Sequence, residues 1–218
     1  MEAILENLVR SPKFPRYVDE LNEFRERENV ARACFRETLD EDVRAEFING
    51  EVITHRSSRD RHALTVAYIS QLVSLFVRLR RLGAVRTEQA LIEFTRNDYV
   101  PDICFWHAEK SFQFVGETTI YPIPDFICEV LSPSTEERDR GVKFEDYAAH
   151  GVREYWIVDP DLKVIEQYFA RSGRYELVAK FSEGIVRGIA IMGLEIPVRA
   201  AFEDRANIDA VRMLLGPQ

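Results

Sequence analysis

Residues 125–160 restrict the fold more than any other stretch of this chain, because they spell one complete crossover unit. The unit opens with an apolar run, Phe126 to Leu131, whose length and Ile, Val and Cys content mark a buried strand. Ser134 and Glu137 have the Ser-x-x-Glu spacing of a capping box, which predicts a helix over about 135–150. Gly151 falls where a glycine ends a helix, and a second strand runs from Glu154 to Val158 before Asp159-Pro160 stops it. One residue breaks the pattern. Glu129 is an acid inside the apolar run, and an isolated buried carboxylate is costly unless a cation or hydrogen bonds compensate it.

The flanking segments extend this unit. Asn49-Gly50 stands between Phe47-Ile48 and Val52-Ile53, the pattern of a type I′ hairpin over Glu46–Thr54. From His62 to Leu82, Leu64, Tyr68, Leu72, Leu75, Leu79 and Leu82 recur at steps of three and four and mark one helix face. Val66, Ile69, Val73, Phe76 and Val77 populate a second face, so the helix is expected to be covered by a sheet and by a partner subunit, which suggests a homodimer. Ala84–Phe94 and Tyr99–Trp106 read as strands about the polar turn 95–98, with Pro101 at a strand start or bulge because it lacks an N–H. Lys163–Ala170 and Tyr175–Phe181 form another hairpin, Ile185–Val198 adds a last strand, and 200–218 holds a short helix. The expected fold class is α/β: a mixed β-sheet flanked by helices, with extra C-terminal strands. Residues 1–40, charged and weakly patterned apart from a helical stretch over Tyr17–Arg27, read as an N-terminal extension, and 41–218 as the domain.

Charge bounds the function. A net charge of −8 argues against a general nucleic-acid coat protein, while leaving room for a local basic patch or a metal that neutralises phosphate. Arginines 56, 59, 61, 78, 80 and 81 surround the long helix. Arg78, Arg80 and Arg81 suit its C-terminal dipole, whereas Arg56, Arg59 and Arg61 precede it and are candidates for touching phosphate. Cys34, Cys104 and Cys128 are odd in number and widely spaced, which reads as free thiols in a reducing cytoplasm. No basic-then-apolar segment opens the chain, and the longest uncharged stretch, His62–Val77, is shorter than a bilayer span, so no membrane is expected as a partner.

Two acids carry the chemistry. Asp102 follows a proline at a strand start, and Glu129 lies in the next strand. Neighbouring strands are about 4.8 Å apart, so two such side chains on one face could share a small divalent cation. Mg²⁺ is the natural choice, because it takes few carboxylates, keeps several waters and works with phosphate. Leu131 stands where a cation could have shared the face of Glu129, and the nearest amine is Lys143 in the crossover helix. Glu51 and Glu88 are further acids within reach of such a site, and each reads equally well as surface charge.

Pro101-Asp102 followed by Glu129-Val130-Leu131, in this strand order, resembles the PD-(D/E)XK nuclease superfamily. The longer pattern, Glu129-Val130-Leu131-Ser132-Pro133-Ser134-Thr135, Asp139 to Lys143, Tyr147-Ala148 and Gly151 to Pro160, is similar to the bacterial Uma-type restriction-endonuclease family. Glu46 to Glu51 and His62 also fall where that family has its hairpin and its helix-opening histidine. The resemblance implies a restriction-endonuclease-like fold and divalent-metal-dependent hydrolysis of phosphodiester bonds in DNA. It implies Asp102 and Glu129 as ligands to Mg²⁺ or Mn²⁺, the Val130 carbonyl as a third, and Lys143 in place of the superfamily's strand lysine. His62 is then placed to orient water or contact phosphate. The alternative reading is a catalytically inactive interaction or scaffold protein that retains the nuclease fold.

Overall fold

The computed structural model describes residues 2–40, 43–55 and 59–216; Arg56, one of the phosphate candidates, lies outside them. Two helices lead, α1 (Glu2–Arg10) and α2 (Phe14–Thr38). α2 is far longer than the stretch predicted over Tyr17–Arg27, since Pro15 sits in its first turn and no glycine or proline follows up to Thr38. A hairpin of β1 (Ala45–Ile48) and β2 (Glu51–Thr54) comes next. Its turn has Asn49 at φ +53° and Gly50 at φ +88°, the positive pair that Asn-Gly accepts readily.

The long helix α3 (Asp60–Arg80) is followed by β3 (Gly83–Thr87), β4 (Leu91–Glu93), β5 (Asp98–Tyr99), β6 (Ile103–His107), α4 (Ala108–Ser111) and β7 (Ile120–Tyr121). The crossover unit is β8 (Phe126–Val130), α5 (Glu136–Arg140), α6 (Val142–Ala149) and β9 (Glu154–Asp159). β10 (Val164–Arg171) and β11 (Arg174–Phe181) form the expected hairpin. The last expected strand is instead a small hairpin, β12 (Ile185–Arg187) with β13 (Glu195–Pro197), ahead of a 3-10 turn and α7 (Asp204–Leu215).

Six strands form a central sheet in the order β11-β10-β9-β8-β6-β3, in which only β8 and β9 run parallel. Five more form a second sheet, β2-β1-β5-β4-β7. The strand predicted over 84–94 is thus two strands in two sheets. The chain leaves the central sheet after β3, turns at Glu88, and returns through Pro101 into β6. Pro101 lies in the gap between β5 and β6, as its missing N–H requires, and Asp102 sits at the seam between the sheets.

Alternation along the strands sorts two cores. Ile103, Phe105, Phe126, Cys128 and Val130 pack with α3 and the C-terminal segment, whereas Cys104, Trp106, Ile127 and Leu131 pack with α6 and the second sheet. Glu129 and Asp102 share the parity of the second set, so both belong to the face that α6 covers. The predicted single helix over 135–150 is split at Gly141 (φ −112°, ψ −105°), where an added Cβ would stand 2.7 Å from the Glu137 carbonyl oxygen. The capping box is not formed: Thr135 occupies the N-cap without a capping bond from its side chain, and its hydroxyl pairs instead with that of Ser132 at 3.0 Å.

Candidate active site

The seam between the sheets brings four acids and one lysine together. Lys143 enters from the first turns of α6 and is 1% exposed. Its Nζ lies 3.0 Å from Glu46 Oε1, 3.0 Å from Glu129 Oε1 and 3.3 Å from Asp139 Oδ1. The Tyr147 hydroxyl, one helical turn further on, donates to Glu129 Oε1 at 2.9 Å. The other oxygen of Glu129 accepts the Asp102 amide at 3.1 Å. Asp102 answers across the strands: its Oδ2 accepts the Val130 amide at 2.7 Å, and its Oδ1 accepts Arg44 Nη2 at 2.8 Å. His62, in the first turn of α3, places Nε2 3.4 Å from Asp102 Oδ2.

Asp102, Glu129, Lys143 and His62 therefore meet, although they come from two strands and two helices. Val130 meets Asp102 through its amide. Arg59 lines the same pocket, while Arg61 pairs with Asp161 at the surface. Of the two further acids singled out in the sequence, Glu51 is exposed and Glu88 pairs with Arg44 at 2.9 Å. Arg44 is the member that the sequence reading missed, while Glu46, Asp139 and Tyr147 are named in the family pattern but given no role in the site. Glu46 carried a usable signal, since it is an acid in the short apolar strand Ala45–Ile48, the same anomaly that marked Glu129.

The charges are unequal. Four buried carboxyls face one ammonium and one guanidinium, and at short range in a poorly solvated site such an imbalance is resolved by protonation or by a cation. Burial, reinforced by Asp139, Asp102 and Glu46, raises the Glu129 carboxyl to about 8 against the pull of Lys143. Asp139 is raised by burial in the same way. Glu46 goes the other way. Despite its burial, Lys143, His55 and the Val100 amide hold it near 2. Asp102 is also lowered despite burial, by His62 and Arg44. Lys143 stays an ammonium: burial opposes its charge, but Glu129, Glu46 and Asp139 raise its pKa well above the ordinary value. His62 is raised by Asp102 against the cost of burial.

Above this cluster opens a pocket of about 580 Å³, walled by the β1–β2 hairpin, the start of α3 and the Ser132–Asp139 segment. Arg44 Nε, His62 Nδ1 and Arg138 Nε are buried without a hydrogen-bond partner, and all three residues line it. Unsatisfied buried polar atoms are rare in folded proteins, and their concentration here marks a place built for something besides stability. No three acidic, histidine or cysteine side chains form a ready-made metal cage among the described residues. Two carboxylates with surplus negative charge and a polar pocket suit Mg²⁺, which retains most of its waters. The donor set fits a hard divalent ion.

These features define a class, a restriction-endonuclease-like fold with an acid-and-lysine cluster at the strand crossover. The same fold occurs in the crystal structure of a putative nuclease belonging to DUF820 from Anabaena variabilis ATCC 29413, with a TM-score of 0.67 over 77% of this chain and 94% of that one. Sequence identity is 19%, so the likeness is one of fold. Among curated proteins none matches. The family model Uma2, described as "putative restriction endonuclease", matches residues 28–199, and the chain belongs to that family.

Proposed function

We propose that this protein is a divalent-metal-dependent nuclease that hydrolyses phosphodiester bonds in DNA. The convergence of Asp102, Glu129 and Lys143 at the floor of one pocket carries this reading. Asp102 and Glu129, with the Val130 carbonyl, would hold Mg²⁺ or Mn²⁺. When bound, that ion supplies Lewis acidity, lowering the pKa of water and offsetting charge on the scissile phosphate. Lys143 serves as a fixed positive charge and not as a base, because its acidic neighbours keep it protonated. Tyr147 and the Asp102 amide hold the Glu129 carboxyl in one orientation. His62 leans on Asp102 through Nε2, which leaves the unpartnered Nδ1 to orient water or a phosphate oxygen. Arg59 and Arg138 add positive charge to a pocket wall of an otherwise acidic protein. Free thiols at Cys34, Cys104 and Cys128 fit a reducing cytoplasm.

One observation favours a second reading, an inactive interaction or scaffold protein: Asp102 is already bonded by Arg44 and the Val130 amide. Incubating purified protein with plasmid DNA and Mg²⁺ or Mn²⁺, beside Asp102→Asn and Lys143→Met, separates the two. The nuclease reading expects nicking that falls by about 100-fold or more in each variant. Equal nicking by all three proteins would trace it to contamination, and intact plasmid throughout supports the scaffold.

A further inference from the structure

We propose that Arg44 is a resident counter-cation that holds the place of a divalent ion at Asp102, so that loading the site means exchanging a guanidinium for a metal. The proposal rests on the metal-dependent reading above. Asp102 Oδ2 is engaged by the Val130 amide and faces His62, which leaves Oδ1 as the oxygen without a backbone donor. Arg44 occupies that oxygen through Nη2 at 2.8 Å. The same nitrogen donates to the Val100 carbonyl at 2.8 Å, and Nη1 pairs with Glu88 at 2.9 Å.

How Arg44 is held distinguishes it from a structural arginine. Arg32 spends Nε, Nη1 and Nη2 on Asp98 and on three backbone carbonyls. Arg44 leaves Nε buried without a partner, so charge and not full hydrogen bonding keeps it in place. Its anchor is strained. Glu88 sits at φ +54°, a left-handed conformation unfavourable for a side chain with a Cβ, and its amide is bonded to the Pro101 and Asp102 carbonyls. The turn between the sheets thus accepts a local cost while it brings a carboxylate against Arg44. The guanidinium also has a way out, because its side chain is 20% exposed at the pocket wall. A planar monovalent group spreads its charge, whereas a small divalent ion concentrates twice the charge at one oxygen, so exchange at Oδ1 follows when metal is supplied.

Mn²⁺ titration of the full chain by calorimetry, at fixed pH and ionic strength, tests this. Arg44→Met is expected to bind Mn²⁺ at least about tenfold more tightly than the native protein. Arg59→Met removes a cation from the same pocket that is not a partner of Asp102, and is expected to stay within about threefold of native. Equal or weaker binding by folded Arg44→Met, or an equal gain in Arg59→Met, overturns the proposal. If neither the native protein nor Arg44→Met binds Mn²⁺, the metal-dependent reading fails and the Arg44 proposal falls with it. A second measurement uses the unaltered protein: the Arg44 Nε–Hε resonance, assigned from its loss in Arg44→Lys, should move during a Mg²⁺ titration with the calorimetric midpoint. A resonance unmoved at saturation overturns the exchange whatever the variants do.

Discussion

Glu129 is held by three donors that favour its anion, the Lys143 ammonium, the Tyr147 hydroxyl and the Asp102 amide, and is still raised because burial and three acidic neighbours outweigh them. A carboxyl whose pKa rises on folding contributes stability that is complete below its unfolded value and is lost as pH climbs through the folded one. For Glu129 that window runs from 4.5 to about 8. Glu46 acts oppositely, its lowered pKa giving stability above 4.5 that is lost as pH falls toward 2. In metal-free protein, urea midpoints should therefore decline from the lower to the upper end of the Glu129 window, and Glu129→Gln should flatten that decline. An identical slope in the variant would show that Glu129 ionises normally. At this scale the sequence exposed anomalies and hid encounters. Asp102 and Glu129 were visible because an acid beside a strand proline or inside an apolar run is unusual. Arg44 was not, because an arginine ahead of a hairpin looks like surface, and only the seam between the sheets brings it to Asp102.

The elements that aim these residues are short and tightly constrained. Gly141 separates α5 from α6, so Asp139 comes from one helix and Lys143 from the next, and the two still face each other at 3.3 Å. Any Cβ at 141 would press on the Glu137 carbonyl from 2.7 Å, which requires the two helices to shift. Gly141→Ala should cost about 1–3 kcal/mol in chemical denaturation and should weaken nicking by more than that loss of folded protein explains. A fully active, equally stable variant would mean that the break merely tolerates glycine. The break was illegible because Ser134, Glu137 and Gly151 agree with one continuous helix, and nothing in that spacing registers where the backbone must bend. α2 shows the same limit from the other side. Its mixed charges give no clear face, yet Arg32 and Arg36 converge on the buried Asp98 carboxylate of β5, each through Nε and Nη2 at 2.6–2.9 Å. Asp98→Ala should destabilise the protein by about 3 kcal/mol, because it leaves two guanidiniums facing a buried edge. Arg36→Ala, which leaves Arg32 in place, should cost less than half as much in the same urea titration. Equal costs would show that the two arginines act only as a unit.

Across the whole molecule, the order of strands was readable because hairpin turns and the crossover punctuate it, whereas the division into two sheets was not, since Glu88–Ala90 and Val100–Asp102 carry no breaker except Pro101. The same difficulty touches quaternary structure. α3 has apolar residues on two faces, which the sequence reading gives to a sheet and to a partner subunit. The chain itself supplies the cover: Val186, Ile191, Leu194, Ile196 and Val198 join the core around α3, and α7 adds Ala206, Ala210, Val211 and Leu214. α7 is also pinned by Asn207, whose Nδ2 donates to the Tyr68 and Ala200 carbonyls at 3.1 and 2.9 Å. It lies beyond residue 199, where the match to the family ends, whereas Val186 to Val198 lie within that match. On the first face of α3, Leu64 and Leu79 stay exposed, Tyr68 and Leu75 are half-buried between them, and Leu72 is buried. With its second face closed from within, the full chain should scatter light as a monomer of 25.3 kDa. A chain ending at Glu203 should lose on the order of 5 kcal/mol of apolar burial and melt roughly 10 °C lower, and its uncovered α3 face should drive association. A full-length dimer that persists on dilution, or a truncated chain that remains monomeric and equally stable, would place the true cover of α3 outside this chain.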